Sequence, residues 1–209
     1  MRAIFSRSFR PIWWFSLAVL TVIFFPGLAS AHVNAGETAG FMHGFLHPIG
    51  GLDHILAMVA VGLWAAQLGG KALWAVPLAF VGAMAIGGVL GIWGTPVPFV
   101  EPAIIASDLI LGSLIVMATR LPLWASAGLV GFLAIFHGFA HGAEMPADSS
   151  GLLYSAGFML ATLGLHLSGM GAVVMVRQIA QDQQEILTRV AGGVVLLAGV
   201  YVLVNSFSS

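Results

Sequence analysis

Residues 72–92 read ALWAVPLAFVGAMAIGGVLGI, an uncharged apolar run that decides the class of fold. A helix of this length spans about 32 Å at 1.5 Å per residue, which matches the ~30 Å hydrocarbon core of a bilayer. Similar apolar segments, separated by turn-forming and charged residues, fill the rest of the chain. We therefore predict an all-α integral membrane protein with about six transmembrane helices, placed at 39–66, 72–92, 102–119, 123–143, 151–175 and 187–206.

The composition of the whole chain agrees with a membrane protein and excludes several other classes. Of its 209 residues, 59% are apolar and only 7% are charged, whereas a soluble domain carries about 25% charged residues. The net charge of −1 provides no basic face for a nucleic acid. The chain has no cysteine, which excludes disulfides, thiolate metal sites and iron–sulfur clusters. Its seven histidines remain as the groups best suited to chemistry.

Residues 1–31 predict a cleaved secretory signal peptide. Three arginines lie within the first ten residues, residues 12–25 form an apolar core, and Ala29-Ser30-Ala31 fits the cleavage pattern. An uncleaved anchor helix is the alternative, although this apolar core is short for a span of about 20 residues. Cleavage would leave a membrane domain of residues 32–209 that begins at His32.

The positive charges predict the orientation of the mature chain. With its amino terminus outside, the loops after the first, third and fifth helices are cytoplasmic. Those loops hold every lysine and arginine of the mature chain: Lys71, Arg120, Arg177 and Arg189. This asymmetry follows the positive-inside rule, so we expect a multi-pass membrane protein whose mature amino terminus lies outside. The predicted outer side instead carries acids, which would attract a cation: Glu37, Glu101, Glu144 and Asp148.

Small residues recur at helical spacing in two of the predicted spans. They are Ala83, Gly87 and Gly91 in one span, and Gly138 and Gly142 in another. In lipid, such faces let helix backbones approach closely. We expect these glycines to pack helices rather than to take part in chemistry.

A first histidine cluster lies in the first predicted span. His43 and His47 are four residues apart, and His47 and His54 are seven apart. At about 100° per residue, the three side chains would lie within roughly 40° of one another on a helix. Because ionisable groups are costly inside a membrane, this stripe of imidazoles indicates a functional site rather than packing.

The same stretch contains residues that interrupt helices. Pro48 removes a backbone donor, and Gly50-Gly51 permits backbone angles that other residues avoid. We predict that the helix is kinked or locally unwound between His47 and Asp53. A broken helix at a polar site is typical of transporters, because freed carbonyls can face a cavity and the site can change shape.

A second cluster lies in the fourth predicted span. His137, His141 and Glu144 are spaced i, i+4 and i+7, and so share one helical face. Together with the first cluster they form a set of nitrogen and oxygen ligands. Imidazole suits Ni, Co, Cu and Zn, and a nearby carboxylate can bind the metal or hold the imidazole tautomer.

The helical rise predicts the depth of these groups. His47 and His137 lie about 12 and 9 Å below the outer ends of their helices, so they could meet in the outer half of the membrane. His54 and His166 both lie about 22 Å down, and the acid Asp108 lies between the two levels. We therefore expect an outer capture site and a deeper relay.

His32 supports a separate hypothesis about the mature amino terminus. After cleavage at Ala31, the free amine and the imidazole of His32 would form a two-nitrogen chelating pair. An α-amino group loses its proton near neutral pH, so a metal could displace that proton. The alternative is a frayed terminus that happens to begin with histidine.

Four motifs carry a resemblance to a known family. In four places the chain resembles the HupE/UreJ family of nickel permeases. These places are the His-Pro-x-x-Gly-x-Asp-His run at 47–54, Pro98-Phe99-Val100-Glu101, the 136–144 motif Phe-His-Gly-x-Ala-His-Gly-x-Glu and the 157–166 stretch. The resemblance implies a secondary carrier that brings Ni²⁺ and sometimes Co²⁺ across the inner membrane for hydrogenase or urease. Such a carrier is a multi-pass protein of the bacterial inner membrane with a periplasmic amino terminus, and it has no prosthetic group. The resemblance also implies a metal path with these residues, the last two in support: His43, His47, Asp53, His54, His137, His141, Glu144, Glu101 and His166.

Asp108 departs from what we expect of the family, because small or polar residues are expected at that place. Asp108 would either add a further cation-binding group or alter the coupling of transport.

Two other functions use histidines in membrane helices. A di-iron oxidase or desaturase normally has further histidine motifs and a cytosolic domain, and a b-type haem protein places histidine pairs on facing helices. No Walker-type glycine loop or G-x-S-x-G motif is present, so ATP-driven transport and serine hydrolysis are not indicated. We therefore expect a permease for a divalent transition metal rather than an enzyme.

Overall fold

The computed structural model describes residues 35–147 and 149–207, and these residues fold almost entirely into α-helices. The predicted signal peptide, His32 and Asp148 lie outside the described residues. A short 3₁₀ turn, Gln181–Gln183, precedes the last helix, and no strand occurs in the described ranges. The all-α class is confirmed. The helices are α1 (Ala35–Gly50), α2 (Leu52–Leu68), α3 (Ala72–Ile92), α4 (Val100–Val116), α5 (Leu123–Ala143), α6 (Gly151–Ile179) and α7 (Gln184–Ser206).

The helices confirm a multi-pass membrane protein. Four of them, α3, α5, α6 and α7 with its preceding turn, are long and apolar enough to cross a bilayer. α1 and α2 meet the same standard together as one bent span, which gives up to five. α4 has 17 residues, at the lower limit of about 17 for a span. The sixth crossing therefore depends on α4 and stays a prediction.

The predicted break between His47 and Asp53 is confirmed. Gly51 is extended, with φ −104° and ψ 124°, and the two helices that it joins are bent by 83°. Pro48 lies in the last turn of α1, where it cannot donate a backbone hydrogen bond. The single stripe predicted for His43, His47 and His54 is therefore divided between two helices.

Glycines bring α3 and α5 into backbone contact, as their spacing predicts. A Cβ at Gly87 would collide with the carbonyl oxygen of Ile135, and a Cβ at Gly138 with that of Met84. Gly142 lies in the same way against the backbone of Gly88. Because only glycine fits at these contacts, the helix that carries His137 and His141 is held firmly against α3.

Similar contacts hold the other helices. Gly44 and Gly157 bring α1 against α6, and Gly62 brings α2 against the same helix. A Cβ at Gly112 of α4 would lie 2.7 Å from the backbone nitrogen of Leu196 in α7. Three tightly packed groups result: α1 with α2 and α6, α3 with α5, and α4 with α7.

The buried core and the exposed surface both fit a lipid environment. Large side chains such as Trp64, Phe80 and Phe158 are fully buried between the helices. The outward faces of α3 and α7 are apolar and exposed, as a lipid-facing surface requires. Examples on these two faces are Trp74, Leu78, Ile86, Val194, Leu197 and Tyr201.

Candidate metal site

A cavity of about 640 Å³ lies at the elbow between α1 and α2. The beginning of α4, the end of α5 and the beginning of α6 complete its wall. Most of the residues predicted to form the metal path line it: His43, His47, Asp53, His54, Glu101, His141 and Glu144. The elbow thus brings together residues of the two predicted histidine clusters, although the clusters lie about 90 positions apart in the chain.

The mouth of the cavity carries the carboxylates. The Nε2–H of His47 donates to Glu144 Oε2 over 2.8 Å, which links α1 to the residue that follows α5. The side chain of Glu144 is 57% exposed and that of His47 is 34% exposed. Glu101, in the first turn of α4, is also exposed. Water and hydrated ions therefore reach these acids before they reach the buried imidazoles.

Asp53 holds His54 in one tautomer. Asp53 Oδ1 accepts from the backbone nitrogen of His54 over 2.9 Å and from its Nδ1–H over 3.0 Å. With the proton on Nδ1, the lone pair of the neutral ring lies on Nε2. This Nε2 is buried and has no hydrogen-bond partner. Asp53 thus orients a candidate ligand, in the manner typical of carboxylates beside metal-binding histidines.

Histidine rings from three helices converge beside the cavity. The centroid of the His54 ring lies 4.6 Å from that of His141 and 5.1 Å from that of His137. The His47 ring lies 5.0 Å from that of His141. His47 therefore lies against His141, whereas we had expected it to meet His137. His137 lies one helical turn further from Glu144 and meets His54 instead.

His137 and His166 lie inside the bundle rather than in the cavity wall. Both are fully buried. The ring of Phe80 contacts both of them, with centroids 5.6 Å from His137 and 5.0 Å from His166. The prediction of two separate levels is wrong for His54, whose ring lies against His137 and His141 of the predicted outer level, while His166 lies beside an aromatic ring.

Asp108 is a buried acid outside the cavity wall. It is fully buried, and neither carboxylate oxygen has a hydrogen-bond partner. Its Cβ faces α7, where a Cβ added to Gly199 would lie 2.8 Å away. The structure thus places Asp108 in the contact between α4 and α7.

Several buried nitrogen atoms around the converging rings lack a hydrogen-bond partner. Buried polar atoms are normally paired, so such a cluster has capacity for a ligand. The atoms are His54 Nε2, His137 Nδ1, both ring nitrogens of His141 and both of His166. Even so, no group of three or more His, Asp or Glu side chains among the described residues stands in metal-holding geometry. The rings converge without forming a closed site.

Three residues near the histidines were not identified from the sequence. Ser107 contacts His137, Phe80 contacts two histidines, and Tyr154 lines the cavity with its ring 6.1 Å from that of His47. Ser107 could have been identified from the sequence, because it is a polar residue next to Asp108 in an otherwise apolar segment. Phe80 is one of 14 phenylalanines, and nothing in its sequence context distinguishes it.

Comparison with known proteins identifies relatives along nearly the whole chain. The profile of the family described as "HupE / UreJ protein" matches residues 20–202. Protein HupE of Rhizobium leguminosarum bv. viciae is 47% identical over 186 residues, which cover 89% of this chain and 95% of that protein. No solved structure matches the chain significantly.

Proposed function

Since the chain belongs to the HupE/UreJ family, we propose that it takes up Ni²⁺, and also Co²⁺, across the inner membrane. The family is associated with nickel and cobalt uptake for hydrogenase or urease. The observation that carries the proposal is the convergence of His47, His54 and His141 on a cavity whose mouth is acidic. Transport is favoured over a membrane metalloenzyme or a haem protein because the family is one of transporters and accessory proteins.

The charges at the two ends of the bundle support an inward direction of transport. Glu101 and Glu144 lie where α4 begins and α5 ends, at the cavity. The four positive charges of the described chain lie near the opposite helix ends: Lys71, Arg120, Arg177 and Arg189. By the positive-inside rule the cavity opens to the periplasm. A cation then meets acids first, which raises its local concentration.

The imidazoles then replace part of the water around the ion. Neutral nitrogen ligands suit Ni²⁺ and Co²⁺, and the absence of cysteine avoids a site that would favour soft metals. A transport path must bind its ion strongly enough to admit it and weakly enough to release it.

The elbow at Gly51 provides a place for the site to change shape. It separates His47 on α1 from His54 on α2, so a change in the 83° bend alters the distance between these two ligands. Transporters commonly place such broken helices at their binding sites.

Radioactive metal uptake into cells tests the proposal. Cells that express the parent should accumulate ⁶³Ni²⁺ and ⁵⁷Co²⁺ above cells with an empty vector. His47→Ala and His137→Ala should reduce accumulation to the vector level. As a control, Ser168→Ala changes an exposed hydroxyl of α6 and should transport like the parent. Parental accumulation that persists in both histidine variants contradicts the proposed path, and a parent that does not accumulate either metal contradicts the function.

A further inference from the structure

The hydroxyl of Ser107 connects α4 to His137 of α5. Ser107 is fully buried in the middle of α4. Its Oγ lies 2.6 Å from the carbonyl oxygen of Ile104 and 2.9 Å from Nε2 of His137. The side chain therefore has two polar neighbours and a single proton to share between them.

The first of these distances decides where the hydroxyl proton lies. A carbonyl oxygen only accepts hydrogen bonds, and two oxygens 2.6 Å apart are in O–H···O contact, which requires a proton between them. The Ser107 hydroxyl therefore donates to Ile104. Its remaining lone pairs can only accept, so the 2.9 Å contact is a bond donated by the Nε2–H of His137.

This bond determines which nitrogen of His137 is free. A neutral imidazole with its proton on Nε2 has its lone pair on Nδ1. The Nδ1 atom of His137 is buried and has no hydrogen-bond partner. Building on the proposed function, we propose that Ser107 is a positioning residue that fixes the Nε2–H tautomer of His137 and so presents Nδ1 to the metal ion.

The neighbouring histidine is oriented in the opposite sense. Asp53 accepts from Nδ1–H of His54, which leaves Nε2 free. The rings of His54 and His137 lie 5.1 Å apart at an interplanar angle of 86°. Ser107 thus does for His137 what Asp53 does for His54, with a neutral oxygen instead of a charged one. Loss of such a partner typically reduces metal affinity about 10–100-fold.

Two variants of equal shape separate this role from simple packing. Ser107→Thr keeps the hydroxyl, and Ser107→Val has the same branched shape without it. Ser107→Ala removes the hydroxyl without adding volume, and it replaces the valine variant if the branched side chains prevent folding. Ser126→Ala is the control, because Ser126 is also fully buried but bonds only to backbone carbonyls at the other end of the bundle.

The first measurement is the tautomer of His137 in metal-free protein. Two-bond ¹H–¹⁵N correlation spectra of ¹⁵N-histidine-labelled protein in detergent distinguish the two tautomers, and the His137 signals are assigned by their loss in His137→Asn. We expect the Nε2–H pattern in the parent and in Ser107→Thr. Ser107→Val and Ser107→Ala should show a mixture of tautomers. A proton on Nδ1 of His137 in the parent overturns the proposal.

The second measurement is the Ni²⁺ concentration that gives half-maximal uptake. We expect it to rise about 10–100-fold in Ser107→Val and Ser107→Ala, and to stay at the parental value in Ser107→Thr and Ser126→Ala. Equal values in the threonine and valine variants overturn the role of Ser107. The spectra need no transport, so a parent that imports no nickel contradicts the proposed function alone, while the tautomer result still decides the role of Ser107.

Discussion

The two ends of the bundle differ in how the nitrogen atoms of their polar side chains are paired. At the end opposite the cavity, the indole N–H of Trp64 donates to the carbonyl of Thr119, the amide nitrogen of Gln67 donates to that of Ile115, and Arg189 donates to that of Val116. At the cavity, His141 is as buried as Trp64, yet neither of its ring nitrogens has a partner.

This difference separates a structural end from a functional one. The donors at the end opposite the cavity bind carbonyls in or just after the last turn of α4, and so stabilise the end of that helix. Buried nitrogen atoms without partners cost stability, and they are retained where a ligand will use them. Substitutions at the cavity should therefore affect transport more than stability, and substitutions at the other end should do the reverse.

The largest effect is expected at His141, the ring that contacts both His47 and His54. His141→Leu should reduce ⁶³Ni²⁺ uptake to the level of cells without the protein. Because it replaces an unpaired buried polar group with an apolar one of similar size, the thermal unfolding temperature in detergent should stay the same or rise. A large fall in that temperature would show that His141 is a structural residue and contradict the comparison.

Glu144 is expected to come next, because it accepts the hydrogen bond that orients His47. Glu144→Gln removes the negative charge at the cavity mouth and leaves only a neutral amide oxygen to accept from His47, so it should raise the Ni²⁺ concentration for half-maximal uptake by about 10-fold. Glu185→Gln is the matched control, since Glu185 is an exposed acid at the opposite end of the bundle. Equal shifts in the two variants would mean that only the overall charge matters.

A smaller effect is expected at Gly51, where the chain turns the elbow. A Cβ there would lie 2.9 Å from Asp53 Oδ1 and 3.1 Å from His54 Nδ1, whereas a Cβ at Gly50 meets nothing within 4 Å. Gly51→Ala should displace this pair and raise the half-saturating Ni²⁺ concentration by roughly 5-fold, equivalent to about 1 kcal/mol. Gly50→Ala should match the parent. Uptake assays on both variants check this, and an equal response would contradict the importance of the Asp53–His54 pair.

The smallest effect on transport is expected at Trp64. Trp64→Phe removes the N–H that donates to Thr119 and part of a fully buried ring, so it should lower the free energy of unfolding by about 2 kcal/mol. The half-saturating Ni²⁺ concentration should be unchanged once uptake is scaled to the amount of folded protein. If Trp64→Phe is as stable as the parent but has a different half-saturating Ni²⁺ concentration, then Trp64 acts on transport rather than on stability. That result would contradict the comparison between the two ends.

The sequence was sufficient to predict the class of fold and the break at the site. Apolar length alone predicts membrane helices, and the proximity of Pro48 to Gly50-Gly51 predicts the interruption that the structure places at Gly51. Both are local properties, because a missing backbone donor or a missing side chain acts within one helical turn.

The pairing of individual histidines could not be predicted in the same way. Helical period states which residues share a face, but the rotation of one helix against another depends on contacts such as that of Gly138 with Met84. The depth of each residue below its helix end predicts that His47 meets His137, whereas the structure places His47 against His141. The helical rise predicts His166 at about the depth of His54, but the backbone of His166 packs against Gly62, eight residues after His54, and its ring lies against Phe80.

The glycine contacts have a consequence for any transport cycle. Sliding within a glycine-packed pair would drive backbone atoms into one another, so, apart from bending at the Gly51 elbow, we expect helices to move along the seams between the three groups. The candidate ligands are shared among those groups, with His54 in one, His141 in the second and Glu101 in the third. A displacement along one seam would therefore change how many of these donors surround a bound cation, so that helix motion itself would loosen the coordination shell.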